Sequence, residues 1–426
     1  MEGVREVAGM KKEKKIDVSA VEKRLEFIMP KYIESLANSN NDDYQGSFHI
    51  FENDEQLLKA LFRTKYSADH LDFEFFMGLI HSIVVDDEVF NPKGIANSIN
   101  DYVENSNVNL NWVAVYPFVF NLQLMFPFKN KEICHYSYGK FKIVTEALKF
   151  EEFNKVLQDD FGVKELSRSD YQHQSTQGSK SIKKCPLIML DVHGSEDSAF
   201  NFSKYKINYL INLLEVYAVL SDSHGHSWPI NEIGTNHAFF VNKSTGRIIR
   251  FPVRKPTRIN ICPSDNFYSL LNEEFVYFSN MVFNHNDKLF TRLKSALNFF
   301  SRGLNGTDKV LCFISYVIAI EAIFSRDKHT PIRITLAEYI ALLCYPAEER
   351  VEIYKTVKTI YDTRSALVHA GKIDIDTGLF EEAEKIAAKT ILGAFRLYFE
   401  LNESGDIEEK FFNHLRDLRL GISKNQ

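Results

Sequence analysis

Thr356-Val357-Lys358-Thr359-Ile360-Tyr361-Asp362-Thr363-Arg364-Ser365-Ala366-Leu367-Val368-His369-Ala370-Gly371 is the stretch on which the reading of this chain turns. Val357, Ile360, Tyr361, Leu367 and Val368 recur at three- and four-residue steps, the spacing of one face of a helix. Gly371 follows where a helix often needs a left-handed residue to stop. Arg364 breaks the pattern. It falls on the apolar stripe Val357–Tyr361–Arg364–Val368, where an uncompensated charge is costly to bury. A cation in that place needs a partner or a task.

His369 lies five residues further, about 140° round an ideal helix and about 7.5 Å along it. The two side chains therefore converge on one ligand only across the last turn or across a groove made with a second helix. Their chemistry suits phosphodiester cleavage. An imidazole titrates near neutrality and can move the proton of a ribose 2′-OH. A guanidinium clamps a phosphate and stabilises its developing charge without a metal. The plain alternatives are a structural ion pair for Arg364 and a helix-end cap for His369.

Upstream, Val310 to Phe324 is apolar nearly all round and reads as a buried helix, interrupted only by Ser315 and Glu321. A carboxylate in such a run invites pairing, so Glu321 is expected to hold Arg364. A third helix is expected over Ile332–Cys344, between Pro331 and Pro346. Ala347-Glu348-Glu349 then opens the Arg364 helix, and a fourth pattern runs from Thr377 to Leu401 with Ala383, Ile386, Ala387, Ile391, Ala394 and Phe395 on one face.

The order Ile320-Glu321-Ala322, then Ala341-Leu342-Leu343, then Glu348-Glu349-Arg350, then Tyr361-Asp362-x-Arg364-Ser365-x-x-Val368-His369-Ala370-Gly371 resembles the Apea-like branch of the HEPN superfamily, over about Asn284 to Leu401. The resemblance implies an all-α up-and-down bundle and a metal-independent endoribonuclease, with paired Arg-x4-His motifs forming one composite site in a homodimer. It places the catalytic pair on Arg364 and His369. Glu321 matches an acidic residue often seen at that place; its role as partner of Arg364 is inferred from burial. Ser365 follows the Arg, where many members carry Asn or Asp.

At 426 residues the chain has room for two or three domains. With 45% hydrophobic and 25% charged residues it reads as an ordinary globular protein, and a net charge of −6 advertises no nucleic-acid binding by itself. Cys134, Cys185, Cys262, Cys312 and Cys344 are scattered, odd in number and without CxxC, which fits reduced thiols in a cytoplasm. Residues 1–15 are charged and read as a loose tail with no targeting core. Trp112 to Phe128, broken by Pro117 and Pro127, reads as two buried strands joined by a turn and no membrane span.

Residues 16–280 are read as a mixed α/β sensor or regulatory region, with a sub-boundary near the polar stretch Glu165–Lys184, followed by the helical domain 284–426. The fold class expected is α+β. Helices are expected near Val21–Leu36, Asp54–Phe62, Ile95–Val103, Phe150–Asp160 and Ile207–Leu220. Strands are expected at His49–Phe51, Val113–Val115, Asn121–Phe126, Lys142–Val144 and Pro186–Val192, and a hairpin at Ala238–Val241 and Ile248–Val253 around Asn242–Gly246.

Two features of this region carry possible chemistry. His224-Gly225-His226, with His193 and His237, lies among Ser, Asp, Gly and Asn and lacks the spacing of a metal site; a polar loop accounts for it better, and no metal or cofactor is expected. Lys243, Arg247, Arg250, Arg254, Lys255 and Arg258 form a basic run that reads either as a solvated sheet edge or as an RNA-contacting surface. There is no GxxxxGK[ST], no GxGxxG after a strand, no HExxH and no GxSxG, which leaves an NTPase, dehydrogenase, zinc protease or serine hydrolase without a foothold.

The expectation is a cytoplasmic endoribonuclease in which His369 acts on the 2′-OH, Arg364 binds the scissile phosphate, Glu321 orients Arg364 and Ser365 adds a hydrogen bond. By resemblance it cuts cellular RNA (tRNA or mRNA) to a 2′,3′-cyclic phosphate in anti-phage, abortive-infection defence, on a phage-derived trigger. The alternative is a catalytically inactive HEPN module that dimerises and binds RNA or a protein.

Overall fold

The computed structural model describes residues 16–38, 54–63, 76, 80, 91–105, 110–120, 131–136, 139–144, 148–166, 168, 171, 187–221, 237–252, 257–259, 273–285, 287–324, 332–370, 374–401 and 406–422. Along the chain these form α1 (Val18–Asn38), α2 (Glu55–Leu61), α3 (Pro92–Asn105), β1 (Asn111–Phe120), β2 (Lys131–Tyr136), β3 (Gly139–Val144), α4 (Phe150–Phe161), β4 (Leu187–His193) and α5 (Glu196–Leu220). Then come β5 (His237–Asn242), β6 (Ile248–Pro252), β7 (Thr257–Ile259), α6 (Glu273–Asn284), α7 (Lys288–Leu304), α8 (Lys309–Phe324), α9 (Ile332–Cys344), α10 (Arg350–Ala370), α11 (Thr377–Leu401) and α12 (Ile407–Arg419). The fold is mostly helical with a small antiparallel sheet, an α+β class. No helix of the described residues is long and apolar enough to cross a membrane.

The chain divides into two compact units. The first comprises Met1–Pro117, Ser137–Tyr205 and Thr235–Lys255; the second comprises Phe118–Tyr136, Lys206–Gly234 and Pro256–Gln426.

In the first unit α1, α2 and α3 close a small core of Val21, Leu25, Ile28, Leu57, Leu61, Ile95 and Ile99. Asp54 caps α2, accepting from the Leu57 amide at 2.7 Å, and also pairs with Arg24 of α1. Beside this core stands a five-stranded antiparallel sheet in the order β3-β4-β1-β5-β6. One face (Val113, Val115, Leu187, Met189, Phe239, Val241) packs on Phe153, Leu157 and Phe161 of α4. The other face carries Tyr116 and Phe240, which meet the first turns of α5. Phe200 lies edge-on to Phe240 at 6.0 Å, and the Tyr116 hydroxyl and Ser203 Oγ are 2.9 Å apart. With both faces covered, β1 over 112–120 and β4 over 187–190 read in the sequence as unbroken apolar runs and not as alternations.

The β5–β6 hairpin forms as its sequence suggests. The Asn242 side chain accepts from the amides of Ser244 and Thr245 at 3.1 Å, and Gly246 takes φ +70°, where a Cβ would also meet the Glu165 carbonyl at 3.0 Å.

Two expectations need correction here. Pro117 does not end a strand: β1 runs on through it to Phe120. The β5 pairing stops at Val115 while the β4 pairing continues to Pro117↔Leu187, so the proline sits where one side of the ladder has already ended. The α5 helix begins at Glu196, well before Ile207. Its first turns are polar, with Glu196 and Asp197 at the positive end of the dipole, and show no apolar periodicity to announce them. The expected strands His49–Phe51 and Asn121–Phe126, and most of the polar stretch Glu165–Lys184, lie outside the described residues, as do residues 1–15 and Gly371.

The second unit is a helical bundle built round α11. Ile386, Ile391, Phe395 and Tyr398 of α11 are fully buried, each contributing about 1.5–3 kcal/mol by leaving water. The helix packs against α7, α8, α9, α10 and α12. Aspartates start four of these helices: Asp287 accepts from the Phe290 amide at 2.9 Å, Asp308 from Val310 at 2.8 Å, Asp376 from Leu379 at 2.9 Å and Asp406 from Glu409 at 3.1 Å. The α7–α8 hairpin is closed tightly because Gly303 has no side chain; a Cβ there would fall 2.5 Å from the Tyr316 ring. Helices α9 and α11 span the ranges expected from the sequence, with no shift at either end.

Candidate functional site

Helix α10 presents its buried stripe as Val357, Ile360 and Leu367, with 4%, 2% and 7% of their surface exposed. Arg364 falls in register with that stripe, and its side chain is 24% exposed. Val368 was expected on the same stripe but is 48% exposed. The helix turns it outward, and Leu367 takes the buried place.

Facing Arg364 is Glu321 of α8, 17% exposed, with a carboxylate oxygen 3.8 Å from one terminal guanidinium nitrogen. The partnership expected from two charges on apolar surfaces is therefore made, but loosely. At 3.8 Å it is an ion pair without a hydrogen bond. The Arg364 Nε is buried and has no hydrogen-bond partner among the described residues. Burial pushes the Glu321 carboxyl up, against the lowering pull of Arg364 and of the Tyr361 hydroxyl. Tyr361 also lies under the guanidinium, whose Cζ is 6.0 Å from the ring centroid. Its role was not foreseen, although its place three residues before Arg364 puts it on the same side of the helix.

Glu321 lies on the outward side of α8. Leu311, Ile314, Ile318 and Glu321 recur at steps of three and four; Leu311 is 62% exposed and the others are half-buried. The stripe opposite (Phe313, Val317, Ile320) is buried. A helix apolar all round thus has one apolar side that is only partly covered, and the acid sits on that side.

His369 is exposed on the last turn of α10, where a basic residue suits the negative end of the helix dipole. It makes no hydrogen bond or ion pair among the described residues. Ser365, next to Arg364, is half-buried. Asp362, on the exposed side, is held by Arg333 of α9. The structure thus joins Glu321, Tyr361 and Arg364 and leaves His369 apart on the surface.

The other candidates fall elsewhere. Lys243 is tied to Asp191 at 2.9 Å, Arg247 is exposed, and Arg250 lies half-buried on β6. Burial, and then Arg250, push the His237 imidazole down from its ordinary value. Arg258 stands on β7, opposite Val119 in the backbone register, while Arg254 and Lys255 lie outside the described residues. The basic run divides at Lys255 between the two units. His193 pairs with Asn111 at 2.7 Å, at one end of β1, and His237 lies beyond the Val115↔Phe239 pair toward the other end. His224 and His226 lie outside the described residues, among which no three metal-ligating side chains cluster.

A cavity of about 500 Å³ in the helical unit is lined by Cys344, Lys389, Gly393 and Arg396, among others, and by none of the Arg364 group. Burial pushes the Cys344 thiol up to about 12, far from a nucleophile's range. No protein-family model, curated protein or solved structure matches the chain.

Proposed function

We propose that this chain is a metal-independent endoribonuclease of the HEPN type, as the Tyr-Asp-x-Arg-Ser-x-x-Val-His-Ala-Gly resemblance implies, with residues 284–426 as the catalytic bundle and the N-terminal region as sensor or regulator. The observation that carries the reading is the unfinished bonding of Arg364: a cation set into a buried stripe, with Nε unpartnered and its acid at 3.8 Å. A purely structural arginine closes its hydrogen bonds, because an unmet buried donor costs about 1–3 kcal/mol. The Arg364 side chain keeps 24% of its surface exposed, and its terminal nitrogens make no hydrogen bond among the described residues, which leaves them for an anion.

Because Arg364 and His369 diverge on one helix, the site is composite. Two copies of α10 face each other across a two-fold axis, with Leu311, Ile318 and Val368 in the self-complementary patch. Arg364 of the pair binds the scissile phosphate. His369 takes the proton of the ribose 2′-OH, the 2′ oxygen attacks phosphorus, and the 5′ oxygen leaves with a proton returned by an imidazolium. The products are a 2′,3′-cyclic phosphate and a 5′-hydroxyl. Glu321 and Tyr361 orient the guanidinium, and Ser365 supplies a further hydrogen bond. In the cell the substrate is cellular RNA, tRNA or mRNA, cut in abortive-infection defence against phage.

Sequencing of cellular RNA ends after expression of the wild type and of His369→Ala tests this. New 2′,3′-cyclic ends with the wild type alone support the reading. Their absence in both favours the non-catalytic dimerising module.

A further inference from the structure

Outside the Arg364 group, the helical unit buries a second acid where α5 meets α7 and α8. Glu215 of α5 is 1% exposed. One of its oxygens accepts from Asn305 Nδ2 at 2.8 Å, at the C-cap of α7. Its other oxygen is buried with no hydrogen-bond partner among the described residues. Asn305 is itself held by the Ser301 carbonyl at 2.9 Å. From α8, Tyr316 stands close enough that Glu215 helps to suppress its ionisation, and Cys312 lies on the same side of that helix. The Tyr316 hydroxyl donates to Glu384 of α11 at 2.8 Å, and Glu384 is 7% exposed. Gly303 lets the Tyr316 ring press against α7. Glu215 thus faces Ser301 and Asn305 from α7 and lies near Tyr316 from α8, and Tyr316 connects that place to Cys312 of its own helix and to a second carboxyl, Glu384, of α11.

We propose that Glu215 is a pH-operated latch: it folds carrying its proton, and loss of that proton loosens residues 206–220 of α5 from the α7–α8 hairpin. A carboxylate there would be met by Asn305, with Ser301 near, and would keep one buried oxygen without a hydrogen bond among the described residues, a deficit that water would make good only if the helix moved away. A neutral carboxyl lacks that deficit in charge. Burial pushes the Glu215 group up from 4.5 to about 7, against the lowering effects of Asn305 and Ser301. Because the folded value is raised, the associated stability is complete below about pH 4.5 and is lost as pH rises through about 7. The same shift corresponds to a factor on the order of a hundredfold in the folding equilibrium.

The test uses the full chain in urea denaturation from pH 5 to 8.5, with hydrogen exchange read over residues 206–220. The wild type is expected to lose on the order of a hundredfold in folding equilibrium relative to Glu215→Gln across this range, with faster exchange in that segment above pH 7. Asn305→Ala, which removes the donor that favours the carboxylate, shifts the loss to higher pH. Parallel pH profiles for the wild type and Glu215→Gln overturn the proposal. Should Glu215→Gln fail to fold, the Asn305→Ala profile decides: a midpoint unchanged from the wild type, or moved to lower pH, overturns it.

Discussion

Two arginine–glutamate pairs of the helical unit make opposite use of the same chemistry. Arg396 of α11 and Glu274 of α6 form a two-bond fork at 2.8 and 3.0 Å, on a surface where the arginine is 54% exposed. Tyr217 adds a hydrogen bond to that glutamate at 3.3 Å. Arg364 and Glu321 are more deeply placed and yet stand 3.8 Å apart, with Nε unmet. Stability alone predicts the reverse, since the deeper pair has more to gain from closing its bonds. The contrast separates a cation whose hydrogen bonds fasten two helices from one whose hydrogen bonds are left unmade.

The largest effect that can break this contrast is on activity. His369→Ala and Arg364→Ala are each expected to lower RNA cleavage by about 10²–10⁴-fold, whereas Arg396→Ala leaves it within a few-fold. Cleavage assayed on purified RNA is expected to persist in EDTA. Strict dependence on a divalent metal, or full activity in His369→Ala, would sink the mechanism.

Assembly sharpens it further. Mixing Arg364→Ala with His369→Ala protomers is expected to restore part of the lost activity, because a hybrid dimer keeps one intact Arg and one intact His across the axis. The measurement is cleavage by co-expressed variants against each alone. An active species that sediments as a strict monomer refutes the composite site.

Stability effects are smaller and differ in sign with pH. Arg364→Met removes the partner of Glu321 and is expected to cost about 1–3 kcal/mol in urea titrations at pH 7. The Glu321 carboxyl, already raised by burial, rises further in that variant. Its contribution therefore favours the fold at low pH and turns against it as pH climbs through the raised value. The double change with Glu321→Met is expected to recover most of the loss.

The smallest effect belongs to the fork. Arg396→Met is expected to cost about 1 kcal/mol or less, declining with added salt, because that pair is screened by solvent. A cost larger than that of Arg364→Met would reverse the comparison.

Much of the helical unit was legible in the residues. Pro331 and Pro346 bracket α9, and the spacing of Ala383, Ile386, Ile391 and Phe395 marks α11, because an amphipathic period survives any tertiary arrangement that buries one face. Glu321 and Arg364 were legible as partners because each is a charge in an apolar setting. Glu215 meets the same criterion within Ile211–Leu220, so one rule applied throughout finds both acids. What no pattern announced were the polar first turns of α5, whose burial depends on a sheet assembled from strands far along the chain, and the continuation of β1 through Pro117, which depends on where its neighbour stops. By itself the sequence determined the helical periods, their ends and the charges that require partners, since these follow from local sterics and solvation. Only the tertiary structure decided that Arg364 stops short of Glu321, that Tyr361 joins them, and that His369 faces outward. Those are distances between helices, and helices are placed by packing.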